Sequence, residues 1–311
     1  MKKKAYVLFA VGQSYINKIE SLVEHLLKYS TNDILLYYSE GAVDYKHERL
    51  HSIYIAIPYL IDFNIPGHKP TSVRNLYLMT YKPDICKHAI LNTRYDEFLY
   101  LDSDVLPTPN IDLVLNEWSQ QCTNYPLYSR YPTDNCYIDD RPLVLDKVLH
   151  MLGIDRSRKS TFELCAGFFF FNKQCLSFIE HWITFVHSKE YTDSFVLPNS
   201  TGNIDLCHYS DEGAANALLW YYGYNRFIGP MVWTGQGECV KYVLTTNYEP
   251  ESVVVHPEDN VAYIRIPNAY ADPYTRNISY FPVDRSRLFA FHGIKNQEDY
   301  IKGLRYVDKF Y

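Results

Sequence analysis

Glu97-Phe98-Leu99-Tyr100-Leu101-Asp102-Ser103-Asp104 is the stretch on which the fold turns. Phe98 to Leu101 is an unbroken apolar run, the signature of a strand covered on both faces, as in the parallel sheets of α/β proteins. It runs straight into an acidic triplet, and Pro107 and Pro109 then break the regular pattern. Asp102-Ser103-Asp104 therefore sits at a strand's carboxyl end, where open α/β sheets receive their ligands. If strand geometry persists to Asp104, the spacing of two puts both carboxylates on one face.

Toward the N-terminus, residues 5–11 (AYVLFAV) form a second apolar run ending at Gly12, and apolar positions then recur at Ile16, Ile19, Val23, Leu26 and Leu27. That is strand, turn and helix. Residues 33–38 (DILLYY) complete a β-α-β unit with a right-handed crossover. Pro58, Pro66-Gly67 and Pro70 interrupt residues 42–80, which read as mixed strand and loop, and residues 84–94 read as a helix. Toward the C-terminus, a helix is predicted over 111–120 behind an Asn110 cap, and 121–160 reads as an irregular, substrate-facing region. Phe168 to Phe171 is another central strand, preceded by Ala166-Gly167 and closed by Asn172. Ser210 to Gly223 is the best-marked helix, with Ser210 as cap and Asp211 and Glu212 in the first turn.

No repeat, low-complexity tract or linker divides the chain. The expectation is one α/β domain over residues 1–311, with a predominantly parallel, Rossmann-like central sheet flanked by helices. Residues 1–110 and 111–311 would form two functional halves of that domain.

Bulk properties narrow the function. At 47% apolar and 21% charged residues the chain has globular composition. A net charge of -6 argues against a nucleic-acid backbone as main partner. The seven cysteines are odd in number and form no CxxC pair, so reduced thiols in the cytoplasm are expected rather than a zinc site or a disulfide framework. The apolar run after Met1-Lys2-Lys3-Lys4 is short and lacks a small-residue cleavage site, so it reads as a strand rather than a signal peptide. No stretch approaches the roughly 20 apolar residues needed to cross a bilayer, which leaves membrane contact peripheral.

Carboxylates paired at a nucleotide-binding sheet edge suit a divalent cation, Mn²⁺ or Mg²⁺, that neutralises a departing diphosphate. Asp102 and Asp104 are the predicted ligands, although an acidic turn after any strand carries the same letters. His292 is the candidate third ligand. It ends the strand-like run Leu288 to Phe291 and is followed by Gly293, which permits close approach, and Lys295, a cation for phosphate. A surface or capping histidine is the plainer alternative. Asp211 and Glu212 offer oxygens for a sugar-transfer centre where positive charge develops, yet the helix dipole alone favours acids in a first turn.

The ordered set Phe9-Ala10 with Tyr15, LYLDSDVL (99–106), CAGFFFFN (165–172), SDEGAAN (210–216) and HGIK (292–295) resembles the family-8-type retaining glycosyltransferases, such as glycogenin, galactinol synthase and bacterial lipopolysaccharide galactosyltransferases. The similarity spans nearly the whole chain. It implies a GT-A fold and a hexosyltransferase-like activity (EC 2.4 class) with a nucleotide-sugar donor, most often UDP-linked, Mn²⁺ and retention of anomeric configuration. By motif position, Asp102, Asp104 and His292 would bind metal, the Asp102-Ser103-Asp104 segment would hold the donor, and Lys295 would contact the diphosphate. Ala166 and Gly167 would border the donor sugar, with Asp211 on its hydroxyls and Glu212 beside the reacting carbon. Phe9, Ala10 and Tyr15 would line the base pocket. The resemblance makes residues 1–110 the nucleotide-sugar-binding half and 111–311 the sugar and acceptor half with the C-terminal metal-ligand segment; the acceptor class, whether glycan, protein, lipid or modified nucleobase, stays open.

Several positions depart from that pattern. Cys165 stands where the family usually has asparagine, Glu212 replaces glutamine, Gly213 replaces a second aspartate, Gly12 replaces an acidic residue, and the HGIK block is shorter than usual. Ionised Glu212 or Asp211 could therefore serve as the base of an inverting transferase. Two other readings compete: a sugar nucleotidyltransferase and a carbohydrate- or partner-binding module without catalysis. The first needs a Gly-rich, Arg- and Lys-bearing loop after strand one, and Val11-Gly12-Gln13-Ser14-Tyr15 has one glycine and no arginine.

Overall fold

A computed structural model of the chain describes residues 2–60, 62–64, 69–130, 164–189, 191, 211–222, 243–245, 253–255, 261–265, 280–284 and 290–292. Strand β1 (Lys4–Val11), helix α1 (Gln13–Tyr29) and strand β2 (Asp33–Ser39) form the expected β-α-β unit, with β1 and β2 parallel. Gly12 makes the tight turn into α1. Its φ of 82° and ψ of 150° lie in a region essentially reserved for glycine, and its N–H donates to the Ser39 carbonyl at 2.9 Å.

Strand β3 (Leu50–Tyr54) adds to β2 in parallel. Helices α2 (Pro70–Met79) and α3 (Lys82–Asn92) then lead into β4 (Glu97–Leu101). The α2 helix corrects the reading of residues 42–80 as strand and loop. Pro70 opens this helix, at a position where its missing N–H has no intrahelical partner to lose.

After β5 (Val105–Pro107) comes α4 (Ile111–Ser119), with Asn110 at its N-cap but making no side-chain cap bond. Strand β6 (Leu127–Arg130) falls inside the segment expected to be irregular, and β7 (Leu164–Asn172) contains the phenylalanine run. Helix α5 (Leu176–Val186) follows, and α6 (Asp211–Tyr221) matches the expected helix, whose flanking Ser210 and Gly223 lie outside the described residues.

The main sheet has the order β3-β2-β1-β4-β7-β6. It is parallel from β3 to β4, but β7 runs antiparallel to β4 and β6 antiparallel to β7. The sheet is thus mixed: three of its five strand pairings are parallel and two antiparallel, so the expected parallel character holds from β3 to β4 and is broken at β7. An apolar run reports burial on both faces, not strand direction, and β7 fills that role from the opposite sense.

Phe168 to Phe171 are all fully buried. Alternation along β7 sends Phe168 toward Trp118 of α4 (5.6 Å between ring centroids) and Phe169 toward Trp182 of α5 (5.9 Å), so helices cover both faces. The β4–β7 register places Phe98 opposite Phe171 and Tyr100 opposite Phe169, and each pair stacks at 4.9 Å. At the far end of β4 the buried Glu97 accepts from Lys2 Nζ at 2.7 Å and Ser119 Oγ at 2.6 Å.

Four further strands, β8 (Val243–Thr245), β9 (Val253–Val255), β10 (Val261–Arg265) and β11 (Tyr280–Asp284), precede β12 (Ala290–His292). Strands β9 to β11 form an antiparallel sheet, while β12 lies between β5 and β8. No described helix is long and apolar enough to cross a membrane.

Candidate functional site

The carboxyl edge of β1 and β4 opens into a cavity of about 390 Å³. It is lined by Phe9, Val11, Tyr15 and Lys18 from β1 and α1, by Asn75 and Met79 among others from α2, and by Asp102, Ser103 and Asp104. Strand β4 stops at Leu101, and the acidic triplet enters a turn in which Val105 N–H donates to the Asp102 carbonyl at 3.2 Å. The expectation that strand geometry carries both carboxylates onto one face is therefore not met. The turn nevertheless brings both aspartates to the same cavity.

Of the predicted base-pocket residues, Phe9 and Tyr15 line this cavity and Ala10 does not. Alternation along β1 explains the difference, because Phe9 and Val11 share one face and Ala10 is buried on the other. Lys18 was not anticipated, although it stands three residues after Tyr15 and therefore on the same side of α1, with its ammonium 5.7 Å from the Tyr15 ring centroid. Asn75 is hidden from sequence because residues 42–80 read as mixed strand and loop; its side-chain amide donates to the Tyr15 hydroxyl at 3.4 Å.

The largest omission is Lys82. It sits in the first turn of α3, the positive end of the helix dipole, where a cation is disfavoured unless acids compensate it. Its side chain is 3% exposed. The ammonium straddles both oxygens of Asp102, at 3.0 and 3.1 Å, lies 2.9 Å from Asp211 Oδ2 and donates to the Ala166 carbonyl at 3.2 Å. It also lies 5.2 Å from the centre of the Tyr100 ring, whose hydroxyl donates to Asp102 Oδ1 at 3.1 Å. Burial works against its charge, yet Asp102 and Asp211 together outweigh that and hold its pKa above the ordinary lysine value. Burial, with Asp102 adding repulsion, raises the Asp211 carboxyl, and Lys82 opposes the rise.

Through Lys82, the sequence-predicted Asp211 joins the predicted metal ligand Asp102. The start of α6 is pinned from behind by Trp182 Nε1, which donates to the Asp211 carbonyl at 3.0 Å, and by Asn216, whose amide donates to the Glu212 carbonyl at 2.9 Å. Glu212 Oε2 accepts the Ala166 N–H at 2.9 Å, and the Gly167 carbonyl accepts the Asp102 N–H at 2.8 Å. Ala166 and Gly167 thus act here through their backbone, tying β7 to both acidic segments.

Two carboxylates facing one cavity are hard oxygen donors that suit Mn²⁺ or Mg²⁺. Among the described residues no group of three or more His, Cys, Asp or Glu side chains gathers as a metal cluster. The predicted third ligand, His292, is described in its backbone alone, and β12 pairs it with Val105, the residue after Asp104. Lys295 lies outside the described residues. No protein-family model matches the chain, and a search of curated proteins finds no match either.

Proposed function

We propose that the chain is a metal-dependent glycosyltransferase of the GT-A type, moving a sugar from a nucleotide-sugar donor, UDP-linked in the first instance, to an acceptor with retention. The observation that carries this reading is the cavity at the carboxyl edge of β1 and β4, which is lined by Phe9, Val11 and Tyr15 together with Asp102 and Asp104. The pairing of His292 with Val105 adds support, since a residue 187 positions away in sequence comes to the strand beside the acidic turn. The order of motifs resembling the family-8-type transferases supports the same conclusion.

In this reading Phe9, Val11 and Tyr15 receive the nucleoside, and Asp102 and Asp104, with His292, hold the cation. When bound, that ion would neutralise the departing diphosphate. Asp211 is held by Lys82 at the sugar end, and Glu212, braced on the Ala166 N–H, presents its carboxylate toward developing positive charge. Lys18, which lines the cavity, is a cation available to the phosphates, and the family resemblance assigns the same task to Lys295.

The test is titration of UDP and other nucleoside diphosphates with and without Mn²⁺, followed by slow hydrolysis of a panel of sugar nucleotides. Mn²⁺-dependent affinity and EDTA-sensitive hydrolysis of one donor are expected, and Asp104→Ala should remove both. A chain whose affinity for every nucleoside diphosphate ignores Mn²⁺, or whose Asp104→Ala variant turns over normally, is not this enzyme.

A further inference from the structure

We propose that Lys82 is a built-in counter-cation that restrains the pocket's affinity for a free divalent ion, so that the ion is retained only in company with a diphosphate. The inference rests on the donor-site reading above. It starts from an ammonium with no solvent-facing role: it meets Asp102, Asp211, the Ala166 carbonyl and the Tyr100 ring, and its side chain is 3% exposed.

Stability alone is a poor reason for such a group. A buried ion pair is often replaceable by apolar side chains without loss, because desolvation offsets the attraction. The dipole of α3 makes this location less favourable still for a cation. What Lys82 does that an apolar side chain would not is occupy Asp102, a carboxylate that also lines the cavity. A bare dication approaching Asp102 meets the field of an ammonium 3.0 Å from that carboxylate, and the two cations repel. A diphosphate arriving with the ion brings negative charge that offsets this repulsion. Lys82 thus couples metal binding to donor binding, and by linking Asp102 to Asp211 it positions the sugar-side acid in the same step.

Calorimetric or paramagnetic titration of the full chain with Mn²⁺ alone, without nucleotide, tests this directly. Lys82→Met should bind Mn²⁺ about tenfold more tightly than the parent, the size expected when one unit charge near a dication is removed in a solvent-like dielectric. Lys82→Arg keeps the charge and should stay close to the parent. A purely structural lysine would give unchanged or weaker binding on removal. A folded Lys82→Met that binds Mn²⁺ no more tightly than the parent, or no detectable binding in either, overturns the proposal. If Lys82→Met fails to fold, Asp211→Asn decides: it leaves the ammonium to Asp102 alone, so Mn²⁺ affinity should fall, and unchanged or tighter binding overturns the idea. The dependence of nucleoside diphosphate affinity on Mn²⁺ in the parent is a separate readout, so the donor reading and the Lys82 coupling can fail independently.

Discussion

At the scale of single residues, Glu212 and Gly12 ask different questions of the same edge. Glu212→Gln keeps an oxygen to accept the Ala166 N–H, so the fold around β7 should survive. If the carboxylate only steadies developing charge, turnover should fall by roughly a hundredfold or less; a proton-transfer or nucleophilic role should cost on the order of 10⁴-fold. The first outcome is expected, and initial rates of donor hydrolysis decide between them. Gly12→Ala would add a Cβ that meets nothing within 4 Å, but at a φ of 82° the backbone itself is strained. A loss of about 1–3 kcal/mol in urea unfolding should follow. The acidic triplet was legible from sequence because it ends an apolar strand, whereas Phe9 and Tyr15 were marked only by the family resemblance. Lys82 was not, although a lysine beside Pro83 at a helix start is a charge mismatch that asks for a partner. The partners are 20 and 129 residues away, and single-sequence spacing does not reveal them.

Helices and strands show the same division between local and distant information. The periodic segments α1, α3, α4 and α6 were legible because an amphipathic repeat or acidic first turn marks them. Pro70 looked like a breaker in isolation and proved to be a first-turn residue, so α2 and its cavity residue Asn75 were lost together. The antiparallel placement of β7 depends on long-range pairing with β4 and β6, which burial patterns do not encode. Two of the legible helices carry a pH response. Burial lowers the pKa of His25 on α1 and of His88 on α3, where Nδ1 of His88 faces the Tyr37 hydroxyl at 3.0 Å. The unfolded chain then binds more protons at these sites than the native one, so they contribute stability above the ordinary imidazole value of 6.5 that is lost as pH falls through their lower native values. The thermal midpoint should therefore fall between pH 7.5 and pH 5.5, and His25→Gln should flatten that slope. An equal slope in the variant would remove His25 from the account.

For the whole molecule, the proposed site draws on segments far apart in the chain: β1, α1, α2 and the turn after β4 line the cavity, α3, β7 and α6 join through Lys82, and β12 pairs beside the acidic turn. A ligand that binds across such a set binds only when the segments are in register, so it stabilises the native state as a unit by mass action. At a ligand concentration about a hundred times its dissociation constant, the gain is about 2.7 kcal/mol. If the donor reading and the Lys82 coupling both hold, this gain should be conditional. UDP with Mn²⁺ should raise the thermal midpoint by several degrees, while Mn²⁺ alone should raise it little, because Lys82 already neutralises part of the charge the ion would meet. In Lys82→Met the Mn²⁺-only shift should become the larger part of the total. Asp104→Ala should abolish the combined shift without changing the unliganded transition by more than the small amount expected for a turn residue. A midpoint that rises equally with UDP in the presence of EDTA would show that the nucleotide needs no ion, and the aspartates lining the cavity would then have some other task.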